Sequence, residues 1–217
     1  MGGAPQAVTP PIVPLRRPGR VAAVALAGLV GSGLVALLRP VPAWELELTR
    51  IVNGAPDAVA APLYPVMQLG TLAAPLLAAL LLLVVRRDAL LAGAALVAGL
   101  MAWFGAKAVK RIVERGRPLA YVSDLDVREG TGAGLGFVSG HSAVAAATAV
   151  VVMVAVPPRW RPALVVVVLV VGVARIVYGV HLPADVVGGW SFGALVGLAA
   201  VGGAERLATR RRPESQM

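Results

Sequence analysis

The feature that most constrains this chain is a repeated one: apolar runs about as long as a bilayer is thick, separated by short charged segments. The runs fall at 21–38, 62–85, 89–109, 141–156, 163–180 and 184–203. A helix needs about 20 apolar residues to cross a hydrocarbon core. Only helices and closed barrels keep every backbone group hydrogen-bonded there. Of the 217 residues, 58% are hydrophobic and 14% are charged, whereas a soluble domain carries roughly 25% charged residues. Mean hydropathy is +0.81. The expected fold is all-α: a polytopic membrane protein built as a six-transmembrane-helix bundle.

The segments outside the runs set the domain plan. Residues 1–20 hold five prolines with Arg16, Arg17 and Arg20, which predicts a disordered basic tail with no apolar face to fold on. A basic segment before an apolar run also resembles a cleaved signal peptide. The first run is long for one, and no small-x-small cleavage site follows, so it is read as an uncleaved span. The segment 39–61 contains Trp44, Glu45, Glu47, Arg50 and Asp57 and has room for a short interfacial helix. The plan is then a tail over 1–20, a membrane domain over 21–204 and a basic tail over 205–217.

The net charge of +9 invites a nucleic-acid reading, which the distribution argues against. The cations are interrupted by apolar spans and lack the interleaved aromatics of a single-strand binder. No nucleic-acid partner is expected. Eleven of them (Arg16, Arg17, Arg20, Arg86, Arg87, Arg159, Arg161, Arg206 and Arg210 to Arg212) fall on one set of span ends, against Asp88, Glu205 and Glu214 only. The positive-inside rule makes that side cytoplasmic, with both termini on it. Segments 39–61, 110–140 and 179–183 then face outward. The prevalence of Ala, Val, Gly and of Arg over Lys is that of a GC-rich bacterial genome. The expected location is a bacterial inner (plasma) membrane.

Three segments on the outward side carry groups suited to chemistry: Lys110 with Arg117-Pro118, Ser139-Gly140-His141, and Arg175 with His181 and Asp185. Arg175 is the least ordinary. An arginine within a span costs about 2.5–3.5 kcal/mol at the bilayer centre, less near the end. It either snorkels outward as an anchor or forms an anion site inside the bundle. With Lys110 and Arg117 it offers a phosphate three cations, two of them planar forks that bind oxygens in pairs. Ser139 suits a helix N-cap, and the same helix start presents free N–H groups to an anion; Gly140 lets the backbone approach.

The chain has only two histidines, His141 and His181, the side chains best suited to proton transfer and nucleophilic attack near neutral pH. His181 and Asp185 are spaced to share a helix face. The carboxylate is either a first-turn acid that suits the helix dipole or a partner that fixes the imidazole tautomer. Two histidines and an aspartate could also ligate zinc, but a field of three cations repels a divalent ion. No metal and no cofactor are expected. The absence of cysteine excludes disulfides and thiolate chemistry. The glycine-rich run 130–136 lacks the Gly-Lys-Ser/Thr of a P-loop and reads as a flexible loop beside the site.

Taken together, K-x6-R-P, S-G-H and R-x5-H-x3-D resemble the three-part signature of the type 2 phosphatidic acid phosphatase superfamily. That family includes bacterial membrane lipid phosphatases and, more distantly, vanadium haloperoxidases. The matching stretch runs from Lys110 to Asp185, about a third of the chain. The resemblance implies that His181 attacks phosphorus to form a phosphohistidine, that Asp185 orients it, and that His141 protonates the leaving group. It implies that Lys110, Arg117, Arg175 and the backbone at Ser139–Gly140 hold the phosphoryl oxygens. Two positions depart from the family pattern: Val138 stands where proline is usual and Ala174 where serine is usual. The substrate class implied is a lipid-borne phosphate in the bilayer: polyprenyl diphosphate, phosphatidylglycerophosphate or phosphatidate. The rivals are a lipid phosphotransferase with the same intermediate and a non-catalytic lipid-phosphate binder. A pure binder needs the cations but not the pairing of His181 with Asp185. Short loops argue against a haloperoxidase, and nothing in the sequence bears on oligomeric state.

Overall fold

The computed structural model describes residues 14–210. Eight α-helices follow one another in them: α1 Pro18–Leu37, α2 Ala43–Asn53, α3 Asp57–Met67, α4 Ala73–Val84, α5 Ala89–Val113, α6 Gly140–Ala155, α7 Arg161–Val177 and α8 Pro183–Arg210. Beyond an isolated antiparallel bridge between Gly116 and Leu135, no strand occurs among the described residues. The protein is all-α and polytopic. Helices α1, α5 and α8, and α7 with its preceding turn, are each long and apolar enough to cross a bilayer.

The other two expected spans differ from the pattern in the sequence. The run 62–85 is not one helix. α3 and α4 are separated by a short 3-10 turn over Gln68–Gly70 and bent by 63° from one another. Pro62 and Pro65 lie inside α3, where each removes a backbone donor. Gly70 at the break abuts the backbone of His141. The fourth span, α6, has 16 residues and so rises only about 24 Å. Nearly all of it is buried, packed against α4, α5, α7 and α8. A helix wrapped by protein need not match the bilayer thickness by itself.

The closest pairing in the bundle is α6 with α8, and small residues allow it. Gly189, Gly193 and Gly197, one per turn of α8, face Ser139–Ala143, Ala143 and Ala147–Val150 of α6. Any Cβ at Gly193 would run into the Ala143 carbonyl. Small residues at every fourth position let membrane helices approach to backbone contact. This matters for the site, because α6 and α8 carry one histidine segment and the catalytic-type carboxylate respectively.

The predicted interfacial helix is α2. It buries Glu45, Thr49 and Asn53 along one stripe and exposes Trp44, Leu48 and Ile51 on the other, so its polar face looks inward. At the chain ends, α1 begins at Pro18 and α8 runs through Arg210. The helical region thus takes in the last residues of the predicted N-terminal tail and the first of the C-terminal one. Residues 1–13 and 211–217 of those tails lie outside the described residues.

Candidate active site

Lys110 is held by the C-terminal end of α5. That helix extends one turn beyond the expected end at 109, to Val113, with Lys110 and Arg111 in its last turn, where cations suit the dipole. Lys110 Nζ donates to the carbonyls of Leu135 (2.8 Å) and Gly136 (2.6 Å). The chain returns toward the bundle there: Gly136 N donates to Arg115 O at 2.7 Å and Arg117 N to Gly134 O at 3.1 Å. The glycine-rich run is therefore tied to the site at its end.

Ser139 is the N-cap of α6, its Oγ accepting from Ser142 N (3.4 Å) and from Ser142 Oγ (2.9 Å). Its own N–H donates to Asp185 O at 2.8 Å, which links the start of α6 to the start of α8. Gly140 and His141 follow on the first turn of α6. His141 meets the Trp103 ring edge-on at 6.1 Å between centroids. Arg175 lies in the last turn of α7, 4% exposed. Its Nη1 donates to Met67 Sδ at 3.1 Å and pairs with the Glu129 carboxylate.

His181 occupies the segment between α7 and α8, and Pro183 opens α8, as its fixed φ favours. His181 is 2% exposed and Asp185 is fully buried. His181 Nδ1 lies 3.3 Å from Asp185 Oδ2, which also accepts from Leu182 N at 3.0 Å. With Nδ1 directed at the carboxylate, Nε2 is the nitrogen left for other chemistry. Burial, and then the charges of Lys110, Arg175, Arg117 and His141, push the imidazole well below its usual range, so it stays neutral and nucleophilic.

Six of the eight residues singled out in the sequence line one cavity of about 440 Å³: Lys110, Arg117, Gly140, His141, Arg175 and His181. Asp185 sits one layer behind, against His181, and Ser139 is buried at the cap. Trp103, Lys107 and Arg111 complete one wall of this cavity, none of whose lining residues is acidic. The Nε groups of Arg117 and Arg175 are buried without a hydrogen-bond partner in the protein, an expensive state for a charged donor that an anion in the cavity would relieve.

Two buried residues were not recognised in the sequence. Arg115 and Glu45 are fully buried, and Arg115 bridges Glu45 and Asp185. Burial opposes the Arg115 charge, but the two carboxylates outweigh it and hold the guanidinium above its usual range. Arg115 stands among other cations in the sequence, and Glu45 lies 140 residues before Asp185, so neither spacing nor composition pointed to the pair. The one signal was Glu45's place on the polar stripe of α2. Trp103, Lys107 and Arg111, spaced by four on α5, were readable as a helix face once the helix was known to extend that far.

The PAP2 superfamily model matches residues 88–207, more than half of the chain and all three motif segments. The chain belongs to the PAP2 superfamily. Its fold is shared with two solved members. The crystal structure of Aquifex aeolicus LpxE superposes with a TM-score of 0.68 at 22% identity, covering 74% of this chain and 96% of that one. The PAP2 type phosphatidylglycerolphosphate phosphatase from Bacillus subtilis does so with a TM-score of 0.70 at 20% identity, covering 91% of this chain and 100% of that one. No curated protein sequence matches the chain. At these identities the likeness is one of fold, that of PAP2 membrane proteins, and the roles of individual residues rest on the geometry above.

Proposed function

We propose that this PAP2 protein is a membrane phosphatase that removes a phosphoryl group from a lipid head group, a monoester or a diphosphate. The observation that carries the reading is the juxtaposition of a neutral, carboxylate-paired His181 with His141 and three cations around one cavity. Cations alone would suit a binder; a buried His–Asp pair aimed at them suits a nucleophile.

In this reading His181 Nε2 attacks phosphorus as the bond from phosphorus to the leaving oxygen breaks, and His141 gives that oxygen a proton. Asp185 holds the Nδ1 proton and steadies the charge that develops on the ring. Lys110, Arg117, Arg175 and the N–H groups at the start of α6 stabilise the equatorial oxygens, whose charge is spread in the transition state. Water then attacks the phosphohistidine and gives a proton to His141, the P–N bond breaks, and inorganic phosphate leaves. No step calls on a metal.

The site lies at the end of the bundle opposite the Arg86–Asp88 turn and the Pro158–Trp160 turn. Positive-inside charge supports placing it at the outer face of a bacterial plasma membrane, within reach of polyprenyl diphosphate, phosphatidylglycerophosphate or phosphatidate. The membrane domain over 21–204 is the proposed catalytic unit. The test is phosphate release from a panel of these lipids by purified protein in the presence of chelator. His181→Ala should abolish release; full activity in that variant, or none from wild type on any lipid phosphate, would sink the reading.

A further inference from the structure

The buried ion cluster behind His181 is not used by the mechanism above, and its geometry has a direction. Asp185 divides its oxygens: Oδ2 serves His181 Nδ1 and Leu182 N, while Oδ1 accepts from Arg115 Nη1 at 3.1 Å. Arg115 is in turn gripped by Glu45, which takes Nη1 at 3.2 Å and pairs with Nη2. Glu45 Oε1 also accepts from Ala184 N at 2.8 Å, a free donor in the first turn of α8. Arg115, Glu45 and Asp185 are all fully buried.

We infer that Arg115 and Glu45 are positioning residues for the reaction: together they fix the Asp185 carboxylate so that its Oδ2 is committed to His181. A lone buried carboxylate has four lone-pair directions and could rotate away from an imidazole 3.3 Å distant. The guanidinium fork holds Oδ1, and rotation about the carboxyl would break that charge-assisted bond. Glu45 balances the second positive face of the fork and anchors α2 to the same helix start. The polar stripe of α2 is thereby coupled to the nucleophile, while its apolar face looks outward. Neither residue lines the cavity, so neither should contribute to holding phosphate.

The inference rests on the phosphatase reading, and the experiment separates the two. Wild type, Glu45→Gln and Arg115→Lys are assayed on one lipid phosphate, with inorganic phosphate as a competitive probe of the anion site. Partners of this kind, such as the carboxylates behind ligating histidines, are worth about 10- to 100-fold in activity. The expected result is a kcat lowered by about that factor in both variants, with KM and the inhibition constant for phosphate within about twofold of wild type. Unchanged kcat would overturn the inference. So would a variant that loses phosphate affinity or thermal stability in proportion to kcat, because that is the behaviour of a merely structural pair. An inactive wild type would instead refute the phosphatase reading.

Discussion

Gly136 leaves just enough room for Asp185: a Cβ at that position would stand 2.5 Å from Asp185 Oδ2 and 3.1 Å from the Gly116 carbonyl. The same glycine accepts from Lys110 Nζ through its carbonyl. One backbone position therefore borders both the carboxylate behind the nucleophile and a cation in front of it. Gly136→Ala should push Oδ2 away from His181. The expected outcome is a loss of about 10- to 100-fold in kcat, read beside the thermal midpoint in detergent. Full activity would mean the loop yields and the contact does not constrain the carboxylate.

Arg175 offers two edges of a fork, one already taken by Glu129 and Met67. Arg175→Lys keeps the charge and loses the planar edge turned toward the cavity. A hydrogen bond to a charged group is worth about 1.5–3 kcal/mol, so kcat/KM should fall by about 10- to 100-fold. A wild-type value of kcat/KM in the lysine variant would show that Arg175 acts as a point charge only.

His181 also carries a pH signature in stability. Its folded form resists protonation, whereas an unfolded histidine takes up a proton near pH 6.5. The contribution is constant above that pH. It is lost as pH falls below it, by up to about 1.4 kcal/mol per pH unit. Between pH 7 and pH 5, wild type should lose more stability in detergent than His181→Gln. Parallel melting curves for the two proteins across that range would contradict the neutral, buried imidazole.

The Gly193–Ala143 approach predicts a defect of another kind. Gly193→Val adds branched volume where even a Cβ has no room, and overpacking of this sort costs about 1–3 kcal/mol. The variant should melt lower, with the rate of its folded fraction changed far less than in Gly136→Ala. It is a test of α6–α8 packing, not of the site.

Topology can be checked because the chain has no cysteine. Ser123 and Arg159 are both exposed, in the connections after α5 and α6. Single cysteines there should be labelled by an impermeant reagent from outside cells at 123 and not at 159. The reverse pattern would invert the proposed orientation.

Much of this protein was legible in its sequence because it depends on composition and short spacing. Apolar length determined an all-helical membrane fold, since nothing else satisfies the backbone in lipid. Three motifs within 76 residues, Lys110 to Asp185, named the residues that the structure gathers around one cavity. His181 and Asp185 meet because they straddle a helix start four residues apart. What only the tertiary structure decided depends on long-range contact. The break between α3 and α4, and the shortness of α6, follow from what surrounds them. Arg115 looked like one more surface cation until burial placed it between Glu45 and Asp185, and Glu45 comes from a helix that no motif includes. A charge 140 residues away reaches Asp185's cluster only because the glycine stripe of α8 draws α6 and α8 to backbone contact, and no local pattern encodes where that approach brings α2.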